Sequence, residues 1–195
     1  MTAHEATTDH PTARAVTDVL QPRNVLLVGM TGIGAAADGW SGIPWGLLAA
    51  LCAGIVPAAY IEWHRKRGTW GDRHVVDRTK RLPIFLVILA SIGLGSLWMI
   101  LGHAPRGILY AMLALWAMTV GLLAINELWK VSVDSAVASA VPALLAVVHS
   151  PWWLLAYALT AAVCWSRVAL AYHSIAQTVV GAALGAATAV PFLLA

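Results

Sequence analysis

The chain has 195 residues, 60% of them hydrophobic and 11% charged, with a mean hydropathy of +0.77; soluble domains are about 45–50% apolar, so a soluble globular domain is excluded, and disorder and nucleic-acid binding with it. The formal charge of +3 says little by itself, because in a membrane protein the positions of Lys and Arg matter more than their sum. Cys52 and Cys164 each sit inside an apolar run and suggest neither a disulfide framework nor a zinc site.

Residues 1–23 mix Thr, Asp, Glu and Pro and lack the basic start and short apolar core of a secretory signal. They read as a cytoplasmic tail, partly disordered, followed by a single transmembrane domain over 24–195. Apolar stretches then run at 24–39, 43–62, 84–102, 107–126, 135–149, 152–166 and 174–194. A bilayer core of about 30 Å needs roughly 20 helical residues. The stretches at 24–39, 135–149 and 152–166 are short, and Pro142 interrupts one, so they span only if flanking polar residues extend them as helix. The expectation is an all-α integral membrane bundle of six or seven transmembrane helices.

Seven of the twelve basic residues lie in one loop, 63–82: Arg65, Lys66, Arg67, Arg73, Arg78, Lys80 and Arg81. The positive-inside rule puts this loop in the cytoplasm. Two helices precede it, two more lead to Lys130, and two more to Arg167. All three polar interruptions therefore fall on the cytoplasmic face of a multi-pass cell-membrane protein, where one site can draw on them together.

Charges beside apolar segments are expensive and default to functional candidates. The first cluster, GDRHVVDRTKRLP at 71–83, is dense in cationic groups that suit a phosphate or diphosphate, and it equally suits anionic lipid heads. In the second, NELWKVSVDSA at 126–136, Ser132 and the amides after it can open a helix whose N-terminus binds anions, or Ser132 or Asp134 can simply cap that helix. In the third, SRVALAYHSIAQ at 166–177, His173 and Gln177 are four residues apart, so a helix would place them on one face. A final apolar helix follows, carrying GAALG at 181–185, a small-xxx-small packing pattern.

Together these clusters resemble the integral-membrane members of the type 2 phosphatidic acid phosphatase superfamily. Ser166-Arg167, five residues and His173 match its third motif without a gap; Lys130 to Asp134 resembles its PSGH-like second motif, and Arg73 to Pro83 loosely resembles the first. The resemblance covers about residues 65–190. It implies metal-independent phosphoryl transfer to a histidine nucleophile, His173, with Arg167, Arg81, Arg73, Arg78 and Lys130 holding the phosphate and Ser132 and the Val133 amide adding hydrogen bonds. Two positions depart from the pattern: Asp134 stands where the family has a histidine acid, and Gln177 where it has the aspartate that orients the nucleophile.

The amide of Gln177 supplies no negative charge, and in the serine-protease triad the equivalent acid-to-amide change lowers turnover about 10⁴-fold. Asp134, next to Lys130 and Arg167, is expected to be a carboxylate rather than an acid. Pairing with arginine would satisfy it; alternatively, with Glu127, Asp72 or Asp77, it would suit Mg²⁺ shared with a substrate phosphate. Three functions remain open. One is hydrolysis of a lipid phosphate or diphosphate, with a prenyl diphosphate as the fitting substrate and no cofactor. A second is a non-hydrolytic, Mg²⁺-assisted prenyl diphosphate reaction of cyclase or transferase type, served by Trp63, Trp70, Trp129, Trp165 and Tyr172, aromatics that an interfacial belt also explains. The third is a degenerate member that only binds.

Overall fold

The computed structural model describes residues 10–67 and 81–194, and every regular element in them is helical. Helix α1 (Pro11–Val19) starts on proline, which suits a first helical turn because it lacks an N–H there. Helix α2 (Pro22–Ala50) runs through a π-helical turn, Leu51–Ile55, into α3 (Val56–Lys66). Then follow α4 (Arg81–Leu101), α5 (Arg106–Leu128), α6 (Val133–Val148), a 3₁₀ segment at Pro151–Ala156, α7 (Tyr157–Ala169) and α8 (Ile175–Ala186). A 3₁₀ turn and the short α9 (Val190–Leu193) end the described chain.

Four stretches are long and apolar enough to cross a membrane: Pro22–Lys66, Leu82–Leu101, Arg106–Leu128 and Ile175–Leu193. The first, 45 residues long, is not straight. At Gly39, φ is +57°, a conformation open to glycine, and the chain reverses there. Ser41 braces the reversal by donating to the Asp38 carboxylate at 2.8 Å. The two limbs then lie against each other: a Cβ on Gly34 would come within 2.8 Å of the Gly46 backbone, and one on Gly54 within 3.5 Å of Arg23 Cα. Val133–Val148 is a shorter apolar helix, and it sits centrally, with every residue from Ser135 to Leu145 buried.

The core consists of aliphatic and methionine side chains such as Met30, Ile33, Met112, Leu115 and Leu144. The outward faces are apolar too: Leu94, Trp98, Leu101, Trp152 and Leu155 are all exposed, a surface suited to lipid rather than water. The GAALG pattern packs as its small residues imply. Gly181 lies against the Ser132 carbonyl and Gly185 against the Ala136 carbonyl, so α8 crosses α6 backbone to backbone. This contact brings the second and third polar clusters together.

Within residues 1–23, expected as a tail, α1 is docked. Ala13 is fully buried, and the Thr17 hydroxyl donates to Ser166 on α7 at 3.3 Å.

Candidate functional site

Ser132 is the N-cap of α6, and its hydroxyl accepts from the Ser135 amide at 3.3 Å. Its own amide donates to the Gln177 carbonyl at 3.2 Å, tying the start of α6 to the start of α8. Asp134 is therefore held in the first turn of α6, where the helix dipole favours a carboxylate. Arg167 is in the last turn of α7, and its Nη2 lies 3.3 Å from Asp134 Oδ1 with the arginine side chain only 5% exposed. Its buried Nε has no hydrogen-bond partner among the described residues.

After α7, Ala171 adopts a left-handed φ of 54°, which closes the chain on itself. The amides of Tyr172 and His173 both donate to the Arg167 carbonyl, at 3.0 and 3.2 Å. The nucleophile candidate is thus fixed to the arginine through the backbone. Lys130 donates from Nζ to the Tyr172 carbonyl at 2.9 Å, which sets the ammonium beside the same turn. His173 is pushed down from its ordinary 6.5 to about 4, chiefly by burial and by the Lys130 ammonium, with Arg167 adding to the shift and Asp134 and Gln177 opposing it. At neutral pH its imidazole is uncharged. Its buried Nδ1 has no hydrogen-bond partner among the described residues.

Gln177 has a second task at the start of α8. Its side-chain carbonyl accepts from the Ser174 amide at 3.0 Å, and its amide N–H donates to the Ser174 hydroxyl, a reciprocal capping box opening α8. The same side chain lies close enough to His173 to act on its imidazole as a hydrogen-bonding neighbour, favouring the protonated ring.

These groups face a cavity of about 1100 Å³. His173, Arg167, Asp134, Lys130 and Val133 line it, joined by Arg14, Thr17 and Asp18 from α1, Arg23 from α2 and Arg65 from α3. Sequence reasoning missed this second wall. The signal was present in Arg14 and Asp18, four apart on one face of a proline-started helix, but nothing in the sequence says that this face turns onto α7. Deeper in, the lining is Leu26, Ala53, Phe85, Ile88, Ile92, Leu115 and Met118.

Two expected participants, Ser132 and Glu127, stand apart from the cavity lining. Ser132 is fully buried, does not line the cavity, and spends its hydroxyl on Ser135. Glu127 is exposed on the last turn of α5, away from the cavity lining, and among the described residues no three His, Cys, Asp or Glu groups gather for a metal. Arg73, Arg78, Asp72 and Asp77 lie outside the described residues, and Arg81 is described only as the first residue of α4.

Asn126, which was not anticipated, lines the cavity and shapes its rim. Its Oδ1 accepts from the Val131 amide at 3.2 Å and its Nδ2 donates to the Leu122 carbonyl at 2.9 Å.

No family model, curated protein or solved structure matches this chain.

Proposed function

We propose that this chain is a seven-span membrane enzyme that hydrolyses the phosphate or diphosphate of an amphiphile with an apolar, prenyl-like tail, taking it from the cytoplasmic face. The observation that carries the reading is the cavity itself. One end gathers His173, Arg167 and Lys130 with Arg14, Arg23 and Arg65, beside Asp134, Asp18 and a Glu62 that pairs with Arg65, and the other is apolar. An anionic head and a greasy tail are what such a lining accepts. The span count follows from treating the two limbs of Pro22–Lys66 as separate crossings and adding α4, α5, α6, α7 with its 3₁₀ segment, and α8. The polar ends then share one face, and the basic loop at 63–82 makes that face cytoplasmic.

The chemistry fits the type 2 phosphatidic acid phosphatase resemblance in its nucleophile. A neutral His173 has a lone pair to attack phosphorus; the bond to the leaving oxygen breaks, and water then releases the phosphoryl group from the histidine. The cations stabilise the charge on the transferring group. Asp134, ion-paired to Arg167, gives the leaving oxygen no proton. A diphosphate, whose leaving group is less basic than an alkoxide, suffers least from that. A second reading, binding without turnover, is favoured by one observation: the Gln177 side-chain carbonyl is engaged in the capping box, so it is not free to accept from the imidazole alone.

The test is detergent-purified protein with farnesyl diphosphate, with and without Mg²⁺ or chelator, following orthophosphate and organic products. Chelator-insensitive orthophosphate release, abolished in His173→Ala, is expected. Inorganic diphosphate with a cyclised or transferred hydrocarbon would replace hydrolysis by carbocation chemistry. Binding with no product of either kind would establish the second reading.

A further inference from the structure

We propose that the apolar end of the cavity gauges the length of the ligand's tail, and that a floor built from Cys52, Gly95 and Met112 stops it at about twelve to fourteen main-chain carbons. The inference rests on the reading of the site as one for an amphiphilic phosphate. It begins from two stripes of side chains. On α5 the lining residues are Leu115, Met118, Thr119, Leu122 and Asn126, with the Thr119 hydroxyl turned back onto the Leu115 carbonyl, and on α4 Ile84, Phe85, Ile88 and Ile92. Both sets follow the spacing of one helix face, so each helix presents a single continuous wall. Opposite, the π-helical turn contributes Ala53 and Gly54, small enough to leave the space open. Ser91 pins that turn to α4 by donating to the Cys52 carbonyl at 2.7 Å.

The walls then meet. A Cβ on Gly95 would lie 2.8 Å from Cys52 Sγ and 3.1 Å from Met112 Cε, so these two side chains rest directly on the glycine backbone. Gly95 is three residues past Ile92, and Met112 three before Leu115, which places the contact just below the deepest lining residues. Met112 is fully buried and lines no part of the cavity. From Asn126, at the polar rim, to Leu115 is about 16 Å at 1.5 Å per helical residue. An extended chain advances about 1.1–1.2 Å per main-chain bond, so roughly fourteen bonds fill that depth. A farnesyl chain, with about twelve main-chain carbons, fits it without bending.

The experiment measures dissociation constants of 1-alkyl phosphates of about six to about eighteen carbons for the full-length protein in detergent, referred to free aqueous monomer. Affinity is expected to rise about fourfold per added carbon and then break at twelve to fourteen. Met112→Ala is expected to move the break about four carbons longer, one helical turn of added depth, and Ile92→Phe, which enlarges a side chain of the lining, to move it shorter. Prenyl phosphates of matched main-chain length should break at the same point. Because the variants move the break in opposite directions, a general loss of folding cannot imitate the result. A break that stays put in both variants, or none up to the longest chain, overturns the gauge while leaving the anion site standing. No binding of any alkyl phosphate overturns both the gauge and the reading beneath it.

Discussion

Replacing Asp134 by Asn acts on two quantities in opposite directions. In the ligand-free protein its carboxylate is the partner of Arg167, whose side chain is 5% exposed against 22% for Asp134. Removing one member of a fully buried pair costs about 3–5 kcal/mol. Here the carboxylate faces the cavity and Asn keeps an oxygen toward the guanidinium, so we expect a loss of about 2 kcal/mol. A phosphate on Arg167 would sit roughly 5–6 Å from Asp134, where unit charges at an effective dielectric constant near 20 repel by about 3 kcal/mol. Cavity water reduces this to about 1.4 kcal/mol, a tenfold gain in affinity once the charge is gone. Thermal unfolding and calorimetric titration with farnesyl phosphate, in chelator and in Mg²⁺, measure both. The variant should unfold at a lower temperature and bind the anion more tightly. Weaker binding, above all weaker only in Mg²⁺, would refute the reasoning, because the carboxylate would then be bridging to phosphate through a cation. Unchanged unfolding would show that the ion pair adds nothing.

With His173 held at about 4 in the folded chain against 6.5 ordinarily, the unfolded chain binds its proton first, so stability is full above about pH 6.5 and declines as pH falls toward 4. Turnover through a neutral imidazole should persist to about pH 5 and halve near pH 4; an acid limb at 6.5 in the pH–rate profile would count against it. Ala13→Glu places a carboxylate at a fully buried contact of α1 and should undock that helix, lowering alkyl phosphate affinity about tenfold as Arg14 leaves the wall, with circular dichroism nearly unchanged; unaltered affinity would remove α1 from the site. Gly185→Leu drives a side chain into the Ala136 carbonyl and Ser139 and should abolish monodisperse protein on size exclusion. Gly121→Ala, whose new methyl meets nothing nearer than Leu184 at 3.8 Å, should behave as the parent.

Much of the bundle could be read from hydropathy because lipid-facing and core-facing residues are both apolar, so the spans stand out as runs. The small residues of GAALG accounted for how the second and third polar clusters meet, while the first, at 71–83, lies mostly outside the described residues. Gly39 and the Asp38–Ser41 brace were less legible, since a reversal depends on backbone angles that a hydropathy run does not encode. The α1 wall was invisible for a different reason. Its sequence is as polar as a solvated tail, and its docking includes a buried methyl, Ala13, and a hydroxyl contact to Ser166 that no hydropathy pattern marks. The partners chosen by Ser132 and Gln177 were likewise underdetermined. Both residue types cap helices as readily as they bind ligands, and here the local backbone amides claimed them.

The Asp38–Gly39 reversal also bears on the order of assembly during synthesis. Its two limbs are neighbours in the chain, so they can pair as soon as both have emerged and enter the bilayer as one hairpin, with the polar turn leading. The contact between Gly181 and the Ser132 carbonyl is of the opposite kind, joining residues nearly fifty positions apart. Until α8 arrives, the start of α6 lacks its hydrogen bond to the Gln177 carbonyl. A ribosome stalled before α8 would therefore hold a scaffold in which α6 lacks its backbone contact with α8, and the junction of the second and third polar clusters would be the last part of the fold to form.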